Sequence, residues 1–179
     1  MANIEESKKI AGVQHVSLTP FGDERGRFVE TFRRDWFPDR HWDRLQANVS
    51  YSVPGVLRGL HYHLRQIDYW FVAKGSVRVG LCDLRRSSTT RLATETFEMS
   101  HKNSTGLFIP VGVAHGFMTL EEVVLTYLVD NYYDGTDENG VAWNDPDIGM
   151  NWGTTSPQLS PRDAANRMLR EIPGEEIPE

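Results

Sequence analysis

Residues 55–75 read Gly55-Val-Leu-Arg-Gly-Leu-His-Tyr-His-Leu-Arg-Gln-Ile-Asp-Tyr-Trp-Phe-Val-Ala-Lys-Gly75. β-branched and aromatic residues recur between turn-forming ends, so the stretch predicts two strands, 56–63 and 69–73, joined by a polar link. It carries two of the six histidines, two arginines and one aspartate. His61 and His63 are two apart, which on a strand turns both to the same side. An imidazole flanked by Val, Leu and Tyr is held firmly and kept partly dry, as a catalytic base or a metal ligand requires.

Working outward, short alternating runs predict further strands at 12–18, 46–52, 76–84, 91–99, 107–109 and 123–131. In 76–84, Val77, Val79 and Leu81 alternate with Arg78, Gly80 and Cys82. In 46–52 the alternating residues Gln46, Asn48 and Ser50 are polar, which suits either solvent or a polar cavity. Phe28, Glu30 and Phe32 share one face of an expected strand over 27–33, and 35–45 reads as a short helix or loop. Only 163–170 has a helical period, and 173–179 reads as an acidic, frayed end. Many short strands and little helix predict an all-β sandwich or barrel.

The length suits one domain over 1–179 with a core at about 12–165. A net charge of −6 disfavours nucleic acid as a partner. The single Cys82 excludes an internal disulfide and a cysteine zinc site. No apolar run approaches the roughly 18 residues of a membrane span, and the first residues lack signal-peptide order. A cytoplasmic protein is therefore expected.

Two family patterns overlap the central stretch. Gly55-(x5)-His61-x-His63-(x4)-Asp68-(x6)-Gly75 resembles the first motif of the metal-binding cupins, with His115 as the ligand from the second. That resemblance implies a metal-dependent enzyme with His61, His63, Asp68 and His115 around Fe(II), Mn(II), Ni(II) or Zn(II).

The second pattern runs from Val13 to Ala165. It includes Asp23-Glu-Arg-Gly-Arg-Phe-Val-Glu30, Gln46-Ala-Asn48-Val-Ser, Gly55-Val-Leu-Arg58-Gly-Leu-His61-Tyr, Pro110-Val-Gly-Val-Ala-His115-Gly-Phe, Tyr127-Leu-Val-Asp-Asn-Tyr-Tyr133, Trp143-Asn-Asp-Pro-Asp-Ile-Gly-Met-Asn-Trp152 and Leu159-Ser-Pro-Arg-Asp163. In order and spacing these resemble the dTDP-4-dehydrorhamnose 3,5-epimerase family. The resemblance implies a cupin-type jelly roll, a homodimer without metal or cofactor, and a dTDP-linked 4-keto-6-deoxyhexose as substrate. It implies His61 as the base, Asp163 as its orienting carboxylate and Tyr127 as the acid on the opposite face. Arg25 and Arg58 match diphosphate-binding positions. Glu30, Gln46, Asn48, His115, Tyr133, Glu138 and Arg162 match other pocket positions.

The chain departs from this pattern at three places. Asp68 stands where the family has a lysine near the ketone, so that Asp68 is protonated, or is turned away, or His63 or Arg65 supplies the positive charge. The loop between His61 and Gln66 is shortened and lacks the family's prolines. Val79 stands where an aspartate partners the second histidine. A non-catalytic nucleotide-sugar binder on the same fold is the remaining reading.

Overall fold

A computed structural model describes residues 2–179. Its strands are β1 (Asn3–Glu6), β2 (Gln14–Ser17), β3 (Pro20–Asp23), β4 (Gly26–Val29), β5 (Gln46–Ser52), β6 (Leu57–Tyr62) and β7 (Asp68–Lys74). They continue with β8 (Ser76–Asp83), β9 (Thr94–Ser100), β10 (Thr105–Ile109), β11 (Val113–Thr119), β12 (Val123–Val129) and β13 (Asn139–Gly140), and one helical turn, α1, spans Pro161–Ala164. Two antiparallel sheets face one another, ordered β1-β2-β10-β7-β12-β5 and β13-β6-β11-β8-β9. Sequence-distant strands lie side by side, as in a jelly roll.

Between the sheets lies an apolar core that includes Trp70, Val72, Val77, Val79, Leu81, Leu107, Phe117 and Leu125. The expected alternation of β8 sends Val77, Val79 and Leu81 here. Gly80 faces the other way, where a Cβ would lie 2.6 Å from the Trp152 ring. That absent side chain lets Trp152 seal the outer surface of the five-stranded sheet together with Leu57, Leu60, Tyr62, Ile148 and Ile172. A third cluster, with Phe37, Trp42, Ile67, Tyr69 and Phe108, covers the outside of the other sheet. Asp83, fully buried, ties down the loop after β8. It accepts hydrogen bonds from the Arg85 guanidinium, Ser88 Oγ and Thr90 Oγ1. Burial pushes its carboxyl up, but these donors outweigh burial and hold it below the ordinary range.

Several expectations need correction. The strand over 27–33 stops at Val29, and β3–β4 form a hairpin whose paired Phe21 and Phe28 are 60% and 68% exposed. The helix over 163–170 is a single turn ending at Ala164. The backbone then peels away to give the Arg167 carbonyl to Ala142 N–H and the Leu169 N–H to Asp145. The end of the chain is docked rather than frayed: Ile172 and Pro178 are buried, and the Pro178 carbonyl accepts from Arg86 N–H. No helix among the described residues is long and apolar enough to cross a membrane.

Candidate active site

A cavity opens between the two sheets. The five-stranded sheet contributes Arg58, His61, His115 and Phe117; the six-stranded sheet contributes Ser50, Asp68, Trp70, Leu125 and Tyr127. His63, Gln66, Glu138 and Arg162 line it from the connecting segments. Cross-strand pairing sets these positions, with His115 opposite His61 and Tyr127 opposite Trp70.

His61 Nε2 lies 2.7 Å from Asp163 Oδ1. The carboxylate comes from α1, a turn started by Pro161 and capped by Ser160, whose Oγ accepts the Asp163 N–H. Burial pushes the Asp163 carboxyl up. Its bond to His61 and donors from Ser160 and Gly59 outweigh that, so it stays below the ordinary carboxylate range. An ionised Asp163 accepts a hydrogen bond from Nε2, which turns Nδ1 away as the nitrogen that can take up a proton.

Tyr127 stands on the opposite sheet. Burial, then the negative charges of Asp68 and Glu138, raise its phenol, with Arg58 opposing them. It therefore keeps its proton at neutral pH. The cavity thus sets a carboxylate-oriented imidazole on one sheet and a protonated phenol on the other.

His61 and His63 both line the cavity, as their spacing predicts. Strand register shifts at Gly59, where φ is +127° and a Cβ would lie 2.7 Å from Gly116 Cα, so Arg58 and His61, three apart, both line the cavity. His63, just beyond β6, donates through Nδ1 to the Asp137 carbonyl at 2.8 Å. His63, Asp68 and His115 form a buried group, whose potential ligand atoms lie within 4.8 Å of one another. His61 stands outside it, which corrects the four-residue metal set. Burial pushes His115 down to about 4, with the Asp68 charge opposing, so its imidazole is neutral.

Other expected residues divide by place. Arg58 donates to Ser52 Oγ at 3.0 Å, and Arg162 pairs with Glu138 at 3.0 Å. Gln46 bonds Asn48 Oδ1 and accepts the Tyr133 N–H, so these three adjoin the cavity rather than line it. Arg25 and Glu30 lie away from the cavity. Arg25 projects on the hairpin turn and pairs with Asp23, and Glu30 pairs with Arg33. Arg65 is held on the surface by Asp134 at 2.7 Å, so it brings no charge into the cavity.

Sequence reasoning missed Trp70, whose Nε1 donates to Asp68 Oδ2 at 2.9 Å. It also missed Asp137, which braces His63 through its carbonyl and caps Leu64 and Arg65 N–H with its carboxylate.

The fold is a cupin-type jelly roll, and the relatives it resembles make the chain an enzyme of the isomerase class. The profile of the dTDP-4-dehydrorhamnose 3,5-epimerase family matches residues 7–171, and the chain belongs to that family. It is 41% identical over 149 residues to the spore coat polysaccharide biosynthesis protein SpsL of Bacillus subtilis, covering 81% of this chain and 97% of that one. It is 36% identical over 176 residues to the dTDP-4-dehydrorhamnose 3,5-epimerase of Sinorhizobium fredii, covering 94% and 90%. The crystal structure of dTDP-6-deoxy-D-glucose-3,5-epimerase from Legionella pneumophila, in complex with dTDP-4-keto-L-rhamnose, superposes with a TM-score of 0.92. The identity there is 32%, with 100% of this chain and 98% of that one covered.

Proposed function

We propose that this protein inverts C3, C5 or both of a dTDP-linked 4-keto-6-deoxyhexose in deoxysugar biosynthesis. Carbons beside a ketone are acidic because the anion delocalises onto the carbonyl oxygen. His61 Nδ1 removes such a proton, Asp163 stabilises the imidazolium, and Tyr127 returns a proton from the opposite face. The 2.7 Å His61–Asp163 pair at the cavity carries this reading. A protein that only binds a nucleotide sugar needs neither an oriented base nor a facing acid. Arg58 takes the diphosphate, where a guanidinium pairs two oxygens. Arg162 and Glu138 meet the ligand from the connecting segments, and His115 lies near the sugar.

The active form is proposed to be a cytoplasmic homodimer. Two apolar surfaces stand exposed: the outer side of edge strand β5 with Val49 and Tyr51, 52% and 72% exposed, and the separate hairpin with Phe21 and Phe28. That hairpin carries Arg25, and Glu30 follows it. The polar set Gln46, Asn48 and Tyr133 lies on the same edge. A monomeric mass in light scattering at assay concentration contradicts the dimer.

The enzymatic reading is tested by proton NMR of the purified protein with dTDP-4-keto-6-deoxyglucose in heavy water. Loss of the C3 or C5 proton signals is expected, and which signals vanish gives the regiochemistry. Bound substrate with no exchange at either carbon leaves only the binding protein.

A further inference from the structure

We propose that His63, Asp68 and His115 bind one divalent transition-metal ion in the cavity wall, beside but separate from His61. Each of the three side chains is about 95% buried. His63 Nε2 lies 3.7 Å from Asp68 Oδ1, and His115 Nε2 lies 3.9 Å from Asp68 Oδ2. Both gaps are too long for hydrogen bonds. Metal bonds of about 2.0–2.2 Å from one central ion set neighbouring donor atoms about 3–3.6 Å apart, a few tenths of an ångström from the 3.7 and 3.9 Å found, with all three donor atoms within 4.8 Å of one another.

The tautomers point the same way. His63 Nδ1 faces the Asp137 carbonyl at 2.8 Å, and His115 Nδ1 faces the Val113 carbonyl at 2.9 Å. A carbonyl only accepts, so both Nδ1 atoms carry hydrogen and Nε2 is the ring nitrogen available as a ligand. Both Nε2 atoms thus face one carboxylate in a buried place. Anchoring of the far ring nitrogen to a carbonyl is also the outer-shell arrangement found at metal-bound histidines.

Two donors hold the carboxylate. Trp70 Nε1 bonds Oδ2 at 2.9 Å, and Gln66 Nε2 bonds Oδ1 at 3.1 Å while lying 3.3 Å from His63 Nε2. A metal ion takes over the bridging position of the Gln66 amide, and the Trp70 bond persists. Two imidazoles and one carboxylate with open positions toward a cavity suit Fe(II), Co(II), Ni(II) or Zn(II).

The consequence for catalysis rests on the epimerase reading. The cavity lining contains no lysine, and Arg162 is engaged by Glu138. A bound cation adds positive charge where a substrate oxygen gains negative charge.

The test uses Co(II) alone, without sugar, on the full chain stripped with a chelator and dialysed. A visible absorption band saturating at one equivalent is expected, with a raised thermal midpoint. Asp68→Asn and His115→Gln, shown folded by circular dichroism, are expected to bind at least about 100-fold more weakly, since removing a ligand exceeds the outer-shell losses. His61→Ala is expected to bind as the unaltered protein does. A wild-type titration without a saturable band overturns the proposal, as does wild-type affinity in folded Asp68→Asn. Neither result touches the epimerase reading, which falls instead if no proton exchange occurs.

Discussion

His61→Ala is expected to lose solvent exchange at both carbons flanking the ketone, by about 10²–10⁴-fold. The substitution removes the cavity imidazole whose Nε2 is hydrogen-bonded to Asp163, leaving Nδ1 to act as base in the proposed mechanism. His63 and His115 line the same cavity but do not replace it. Their Nδ1 atoms are tied to backbone carbonyls and their Nε2 atoms face Asp68. Asp163→Asn separates orientation from basicity. An amide that donates to Nε2 forces the proton onto Nδ1, and a wrong tautomer of this kind costs up to about 10⁴-fold in a serine-protease triad. The Asp163 carboxyl titrates below its ordinary range. Its contribution to folding and orientation is complete above about pH 4 and is lost as pH falls through the lowered value. Acid inactivation through this carboxylate therefore lies well below neutrality. Exchange at an undiminished rate in folded His61→Ala would assign the base elsewhere.

How far the sequence foretells this site depends on whether the signal is local. Strand β8 is legible because Val77, Val79 and Leu81 bury in the core at period two, with small or polar residues between them. Strand β5 is legible in an inverted sense. Gln46, Asn48 and Ser50 turn toward the cavity side while Val49 and Tyr51 face outward, a pattern that periodicity alone assigns to solvent. The His61–Asp163 pair spans 102 residues, so only the family resemblance could join them.

Parity held for His61 and His63, which both line the cavity, but not between Arg58 and His61, because the strand register shifts at Gly59. The helical period over 163–170 was overruled by tertiary hydrogen bonds, Ala142 N–H to the Arg167 carbonyl and Leu169 N–H to Asp145. Asp137 could not have been found from its residue type, since it holds His63 through a backbone carbonyl that any residue supplies. Asp68 was visible as a departure from the family pattern. Its place beside His63 and His115 was implied by the metal-binding cupin resemblance, but the indole donor from Trp70 was not.

Tyr127→Phe is expected to spare proton removal while suppressing inversion by about 10²-fold or more. In the proposed mechanism the two events use different sheets, His61 on β6 for removal and Tyr127 on β12, across the cavity, for return. Without the phenol, the carbanion is reprotonated mainly from the side it came from, because the imidazolium still holds a proton there. Deuterium then enters from solvent with retention of configuration, and the ratio of exchange to inversion rises. The phenol suits this role because burial, and then the charges of Asp68 and Glu138, keep it protonated. Loss of the hydroxyl leaves the ring, so its packing against Trp70 and the neighbouring core persists and the effect is chemical rather than structural. The measurement is paired: deuterium content at C3 and C5 by NMR, and the epimeric product trapped by reduction of the ketone. Equal losses of exchange and inversion in folded Tyr127→Phe would remove Tyr127 from the opposite-face role. They would place the returning proton on solvent or on another cavity group.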